Sequence, residues 1–258
     1  MNFSISKIFN IFGFGKYITY CPVCCTAGVT FNPLPDFYRQ NATLHGYAHF
    51  GKGEMTALDT YSCSKCNSSD RERLYAYWLA AEINAKAFSS KAKAIHFAPE
   101  KCFSDYIRRS KAFADYQTAD LMMEDVDHKV DLMSLPFPDS SFDFFICSHV
   151  LEHVPDDRIA ISELLRITRR GGRGILMAPV VVDLPQTIED PTVTDEAGRW
   201  RLFGQNDHVR LYSHCDFVVR ILESGFLLQQ LNQNNFDNGV FEMLGLKSTS
   251  ILYVVTKP

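Results

Sequence analysis

From residue 93 to the C-terminus, short apolar runs alternate with stretches whose apolar residues recur every three or four positions. Lys93–Ala98, Ala114–Ala119, Phe142–Cys147, Arg173–Ala178, Phe226–Leu231 and Ser250–Thr256 read as strands. Between them, Phe103–Ser110 reads as a helix. A second, Asp157–Arg169, carries its apolar stripe on Ala160, Leu164 and Ile167 and is stopped by Gly171-Gly172. A third starts at Ser213, capped with Asp216, runs through Phe217 and Ile221 and closes at Gly225. Such alternation predicts an α/β fold with a parallel, doubly wound sheet. Phe142–Cys147 is apolar on both faces and belongs in the buried centre of that sheet. In open α/β sheets ligands bind beyond the carboxyl ends of the strands, which here points to Ser148, His149, Glu152 and His153.

Upstream, Ser69 and Glu72 form a capping box, and Leu74, Trp78, Ala81, Ala85 and Phe88 follow on one helical face, ending at Ser89-Ser90-Lys91. This helix, 71–92, connects the sheet domain, 93–258, to an N-terminal module, 1–70. The module holds two CxxC pairs, Cys21/Cys24 and Cys63/Cys66, separated by 38 residues. Each pair offers two thiolates to one ion, so together they predict a small four-cysteine zinc ribbon. The bland alternative, two disulfides, does not persist in the reducing cytoplasm, where a chain without an export signal is expected. Four thiolates leave no open coordination position, so the zinc is expected to be structural. His45 and His49 in the spacer read as ordinary loop residues.

Composition narrows the function. The net charge is −4, residues 1–90 carry 8 Lys+Arg against 6 Asp+Glu, and residues 91–258 carry 18 against 24. Neither part has the basic excess of a nucleic-acid binder. No apolar run is long enough to span a bilayer. Residues 3–14 are apolar but short, with neither a basic n-region nor a small-residue cleavage site, and are expected to dock on the protein itself, a partner or a membrane surface.

The order Asp131, Leu-Pro-Phe-Pro, the strand Phe142–Cys147 and Ser148-His149-Val150-Leu151-Glu152-His153 resembles class I S-adenosylmethionine (SAM)-dependent methyltransferases, especially their small-molecule, type 11-like branch. The resemblance covers about residues 93–257 and implies a Rossmann-like, mainly parallel seven-stranded sheet. It implies that Asp120 binds the cofactor's ribose hydroxyls, that Asp131 and Leu132 meet the adenine, and that Phe97, Ala98, Glu100, Ser148 and His149 line the methionine half. The family's first loop usually carries Gly-x-Gly, whereas this one reads His96-Phe97-Ala98-Pro99-Glu100. Ala98 stands where the first glycine would, and Glu100 is placed to meet the ammonium group. A subset of bacterial methyltransferases combines a similar loop with an N-terminal CxxC ribbon, and Cys66–Arg73 resembles its junction.

The connection from Pro179 to Ser213 is long for a compact domain and reads as a lid over the cofactor crevice. Within it, Asp207-His208 reads as a hydroxyl-activating base, with His149 a second candidate. Arg199, Arg201, Arg210 and Tyr212, with His153, are expected to hold an anionic or sugar-like small-molecule acceptor. Two other readings stay open. One is a ribosomal-RNA methyltransferase whose ribbon grips RNA, against which the missing basic stripe counts. The other is a binding protein that kept the fold and lost the cofactor.

Overall fold

The computed structural model describes residues 18–258, so the apolar segment 3–14 lies outside the described residues. The main sheet has seven strands: β1 (Lys93–Phe97), β2 (Asp115–Asp120), β3 (His128–Lys129), β4 (Phe142–Ser148), β5 (Thr168–Met177), β6 (Leu227–Leu231) and β7 (Leu252–Thr256). Their spatial order is β6-β7-β5-β4-β1-β2-β3. Only β7 runs antiparallel to its neighbours. The chain winds outward from β1 to β3 and then returns to β4 on the other side of β1. The carboxyl ends of β1 and β4 therefore flank the switch point, where a crevice must open.

Packing explains why β4 is central. On one face Phe144 lies against Trp78, Phe88 and Phe113. On the other, Phe145 meets Phe226 and covers Gly174 of β5, where an added Cβ would come within 2.3 Å of the ring. The helix Asp157–Ile167 ends before the glycine pair, because Thr168 turns extended and starts β5 at once. Gly171 and Gly172 instead exchange backbone hydrogen bonds with Lys257. Sheet pairing overrides the helix-stop signal there. The connecting helix runs Asp70–Asn84 with both capping-box bonds formed, and Phe88 reaches the core from the turn that follows.

The N-terminal module consists of two short ladders, Tyr20–Cys21 with Thr26–Ala27 and Phe31–Asn32 with Ser62–Cys63. The spacer also forms a helix, Asp36–His45, that the sequence reading left as loop. Similarly, the 179–213 connection is more ordered than a bare loop. Val180–Val181 and Ile188–Glu189 pair with Arg210–Ser213, and Glu196–Phe203 is a helix capped by Asp195. The two insertions pack together. Trp200 stacks on His45 at 5.9 Å and meets Phe37 edge-on at 6.0 Å, and Gly204, at φ 86°, leaves room for Tyr47.

Arg73 joins the module to the sheet domain. Its fully buried guanidinium donates to the carbonyls of Thr60, Tyr61, Ser68, Leu244 and Gly245 and lies 3.9 Å from the centre of the Phe31 ring. Replacing Arg73 with Met keeps the bulk but orphans several buried acceptors, each worth about 1–3 kcal/mol. Arg73→Met is expected to lower the unfolding midpoint in urea by more than any single surface substitution. An unchanged midpoint would show that the module is not held by this residue.

Candidate functional site

The crevice at the switch point begins with the turn after β1. Ala98 adopts φ 48°, a left-handed conformation usually left to glycine, while its N–H donates to the Ala119 carbonyl. An alanine thus takes a backbone shape that glycine adopts more readily. Glu100, next in the turn, caps the start of the helix Lys101–Ser110. It lies 3.0 Å from His96 Nε2 and 3.5 Å from Arg71 Nε. Burial works to raise its carboxyl, but the hydrogen bond and charge of His96 and the charge of Arg71 prevail and hold it at about 2. Arg71 Nε and Glu100 Oε1 are buried without a hydrogen-bond partner. One cation and one anion are thus available side by side for a zwitterionic amino-acid end.

At the end of β2, Asp120 Oδ1 accepts from the N–H groups of Met122 and Met123, so Oδ2 is not used by that turn. Leu121 and Met122 are exposed beside it, an apolar surface suited to an aromatic base. Asp131 Oδ1 holds the next turn through Met133 N–H, and Leu132 is buried. Phe97 is a core residue, and Ser148 Oγ is hydrogen-bonded to Tyr75 Oη at 3.0 Å.

Next to this crevice lies a pocket of about 420 Å³. Its floor is His149, Glu152 and His153, its lid wall includes Phe203, Asp207 and His208, and its far wall is Tyr38, Tyr47, His49, Phe50 and Tyr61 of the N-terminal module. His49 is therefore a pocket residue rather than an ordinary loop residue. Glu152 has no exposed surface, and neither of its carboxylate oxygens has a hydrogen-bond partner. Three imidazoles face Oε1: His149 Nδ1 at 3.4 Å, His153 Nε2 at 3.9 Å and His208 Nε2 at 4.0 Å. The His149 contact is long and too poorly aligned to satisfy Oε1. Burial raises the Glu152 carboxyl, but His149, His208 and His153 together hold it at about 2, so it is ionised at neutral pH. Burial holds His208 down at about 4 and also lowers His149, so both are neutral there.

The lid residues distribute differently from their sequence expectation. Asp207 Oδ2 lies 3.4 Å from His153 Nδ1, whereas His208 Nδ1 donates to the Phe203 carbonyl at 3.3 Å. The aspartate thus orients the neighbouring histidine rather than His208. Arg210 is buried and donates to the carbonyls of Leu151, Val154 and Pro155 and to Glu189. Tyr212 donates to Asp157. Arg199 lies near Val193 in a separate surface hollow, and Arg201 is exposed on the lid helix. None of these four lines the pocket, because the arginine and tyrosine in the 210–213 strand are spent holding the 151–157 turn.

In the N-terminal module the four predicted thiols converge, all free, with Sγ–Sγ separations of 3.7 Å for Cys21–Cys66 and 4.0 Å for Cys24–Cys63. A tetrahedron of sulfurs about 2.3 Å from one ion has edges of about 3.8 Å, so the cluster fits zinc.

With this geometry in view, residues 89–176 match a family model described as a methyltransferase domain, and that span contains the first loop, Asp120, Asp131 and the β4 end. The matched region is that of a methyltransferase domain. The chain is 34% identical over 105 residues to YcgJ of Bacillus subtilis (strain 168), an uncharacterized methyltransferase, covering 40% of this chain and 38% of that protein. It is 28% identical over 101 residues to ajmaline N-methyltransferase of Rauvolfia serpentina, covering 39% and 32%. It is 39% identical over 70 residues to 27-O-demethylrifamycin SV methyltransferase of Amycolatopsis mediterranei (strain S699), covering 25% and 26%. The alignments thus span well under half of these relatives. The crystal structure of YcgJ superposes with a TM-score of 0.42 at 16% identity, covering 69% of this chain and 95% of that one.

Two site features are not visible in the sequence. Arg71 stands out only as part of the junction motif, and the far wall of the pocket not at all. Nothing in the local pattern of residues 34–61 indicates that they fold back over the strand ends.

Glu189 ties the lid to Arg220 and Arg210 at 2.9 and 2.6 Å. Its carboxyl is held at about 2, chiefly by the Arg220 hydrogen bond. A folded-state pKa below the ordinary value adds stability above about 4.5 that is lost as pH falls toward 2. In chemical denaturation at a series of pH values, stability is expected to fall more steeply across that window in the wild type than in Glu189→Gln. Parallel curves would rule the clamp out.

Proposed function

We propose that the chain transfers a methyl group from SAM to a hydroxyl of a small-molecule, sugar-like acceptor bound in the pocket between the N-terminal module and the lid. The observation that carries this reading is the pocket itself. It adjoins the switch-point crevice, is walled by aromatic side chains and holds a cluster of histidines. The named substrates of two relatives, ajmaline and 27-O-demethylrifamycin SV, are likewise small molecules. A long RNA is less well served by a walled hollow in a chain of net charge −4.

Cofactor binding rests on residues at the crevice. Asp120 Oδ2 is available for the ribose hydroxyls, Leu121 and Met122 for the adenine, Asp131 and Leu132 for its edge, and Glu100 with Arg71 for the ammonium and carboxylate of the methionine end. The turn at Ala98, with Phe97 and Ser148 behind it, lets the backbone come close. SAM supplies an electrophilic methyl group that needs little beyond an aligned nucleophile. The chain's task is to place the acceptor oxygen and take its proton. His208 donates from Nδ1, so Nε2 carries a lone pair toward the pocket. His153, oriented by Asp207, and His149 border the same space. The zinc proposed at Cys21, Cys24, Cys63 and Cys66 stays structural and holds the module that forms the far wall.

Asp120→Ala is expected to weaken SAM binding in calorimetry by about 2–3 kcal/mol, the scale for unpairing buried hydroxyls. Unchanged affinity would place the cofactor elsewhere, and no binding of SAM by the wild type would leave the non-catalytic reading. Once an acceptor is found, His208→Ala should bind SAM normally and lose about a hundred- to ten-thousand-fold in turnover. Normal turnover would remove His208 from the chemistry. Elemental analysis should find zinc that is lost in Cys63→Ser, and its absence from chelator-free wild-type protein would defeat the ribbon assignment.

A further inference from the structure

The Glu152 carboxylate presents a problem that methyl transfer alone does not resolve. It has no exposed surface and accepts no hydrogen bond at either oxygen. Leaving a buried carboxyl group without a partner is costly. The groups around it do not supply one. The Phe203 carbonyl takes the His208 Nδ1 proton, and Asp207 faces His153 Nδ1. Both rings therefore turn their Nε2 lone pairs toward Glu152 Oε1, at 4.0 and 3.9 Å. Three acceptors, one oxygen and two nitrogens, thus face one small space. A single water donates to only two of them.

We propose that Glu152, His153 and His208 bind a divalent first-row transition-metal ion, at a second site distinct from the thiolate cluster and open to the acceptor pocket. Two ligands about 2.1 Å from one ion can be up to about 4.2 Å apart, so both Nε2–Oε1 separations lie within reach. All three ligand atoms lie within 4.8 Å of one another, and a small rotation of the histidines closes the set. The supporting contacts are those a metal histidine requires. A backbone carbonyl on one ring and a carboxylate on the other fix the tautomer that leaves Nε2 free. His149, with Nδ1 3.4 Å from Oε1, borders the site as a further donor. Two imidazoles and one carboxylate suit Zn2+, Fe2+ or Co2+ better than Mg2+ or Ca2+, which favour all-oxygen sets. With three protein ligands the ion keeps open positions facing the pocket, where an acceptor oxygen can bind and become more acidic. His208 would then act through the ion rather than as a free base. Binding of the ion depends on the geometry of this cluster and not on the methyl-transfer reading.

The test uses the full chain, stripped with a chelator and titrated with Co2+. The thiolate cluster reports itself through intense sulfur-to-metal absorption in the near ultraviolet. The proposed site should add a second equivalent seen only as weaker visible bands. Glu152→Gln and His208→Ala should each lose the second equivalent and keep the first, and Asp207→Asn should weaken the second about ten- to a hundredfold. Thermal unfolding provides a check independent of stoichiometry. In chelator, Glu152→Gln should melt no lower than the wild type, since the buried carboxyl it replaces has no partner. With Co2+ the wild type should gain and the variant should not. The proposal is overturned if the wild type binds only the thiolate equivalent up to about 1 mM Co2+, a free-energy scale of about 4 kcal/mol. It is equally overturned if the second equivalent survives in both Glu152→Gln and His208→Ala. Cys63→Ser separates the two sites, because it should lose the near-ultraviolet absorption and retain the visible bands.

Discussion

The arrangement of the whole molecule turns on the buried guanidinium of Arg73. A positive charge in the interior, without a carboxylate in direct contact, is tolerable because five backbone carbonyls converge on it. Those carbonyls belong to segments that are remote in sequence: the end of the N-terminal module, the turn before the connecting helix, and the turn near Leu244. Meeting the guanidinium's geometry fixes where each of them lies. Lysine could not do this, since a point charge lacks the planar fork that reaches several acceptors at once. Once the module is pinned there, residues 34–61 are brought over the carboxyl ends of β1 and β4, and the pocket follows.

The strands of the main sheet were legible because their burial is a local property. A run such as Phe142–Cys147 has to be covered on both faces, and only a central position does that. The positions of Asp120, Asp131 and Ser148 followed because they sit at fixed places relative to strand ends. The acceptor side was not legible for the opposite reason. Arg210 and Tyr212 look like ligand-binding residues in sequence, but their partners are carbonyls and carboxylates of the 151–157 turn and of Glu189, more than twenty residues upstream. Asp207 precedes His208 in sequence yet turns to His153, because the Phe203 carbonyl already occupies His208 Nδ1. Adjacent residues need not be partners when a short helix lies between them and the site.

Ala98 shows how far a motif can drift while keeping its physical content. The Gly-x-Gly of the resembled loop lets the backbone come close to a ligand, and here the alanine adopts a left-handed conformation usual for glycine, at φ 48°. The strain is tolerable because the N–H of Ala98 is anchored on Ala119 and the following proline stiffens the turn. Conversely, the glycine pair at 171–172 looked like a helix stop and serves sheet pairing instead. In both cases the backbone requirement, rather than the identity of the residue, was the informative quantity.

The walls of the pocket come from two insertions, and neither belongs to the sheet. Any molecule held between them touches the module and the lid at once, so part of its binding energy goes into keeping the two together. Occupancy of the pocket and integrity of the N-terminal module are therefore thermodynamically linked: whatever favours one favours the other by the same factor. The same division makes the acceptor range separable from the cofactor machinery. Substitutions along residues 34–61 or in the lid helix can reshape the hollow without disturbing the strand ends.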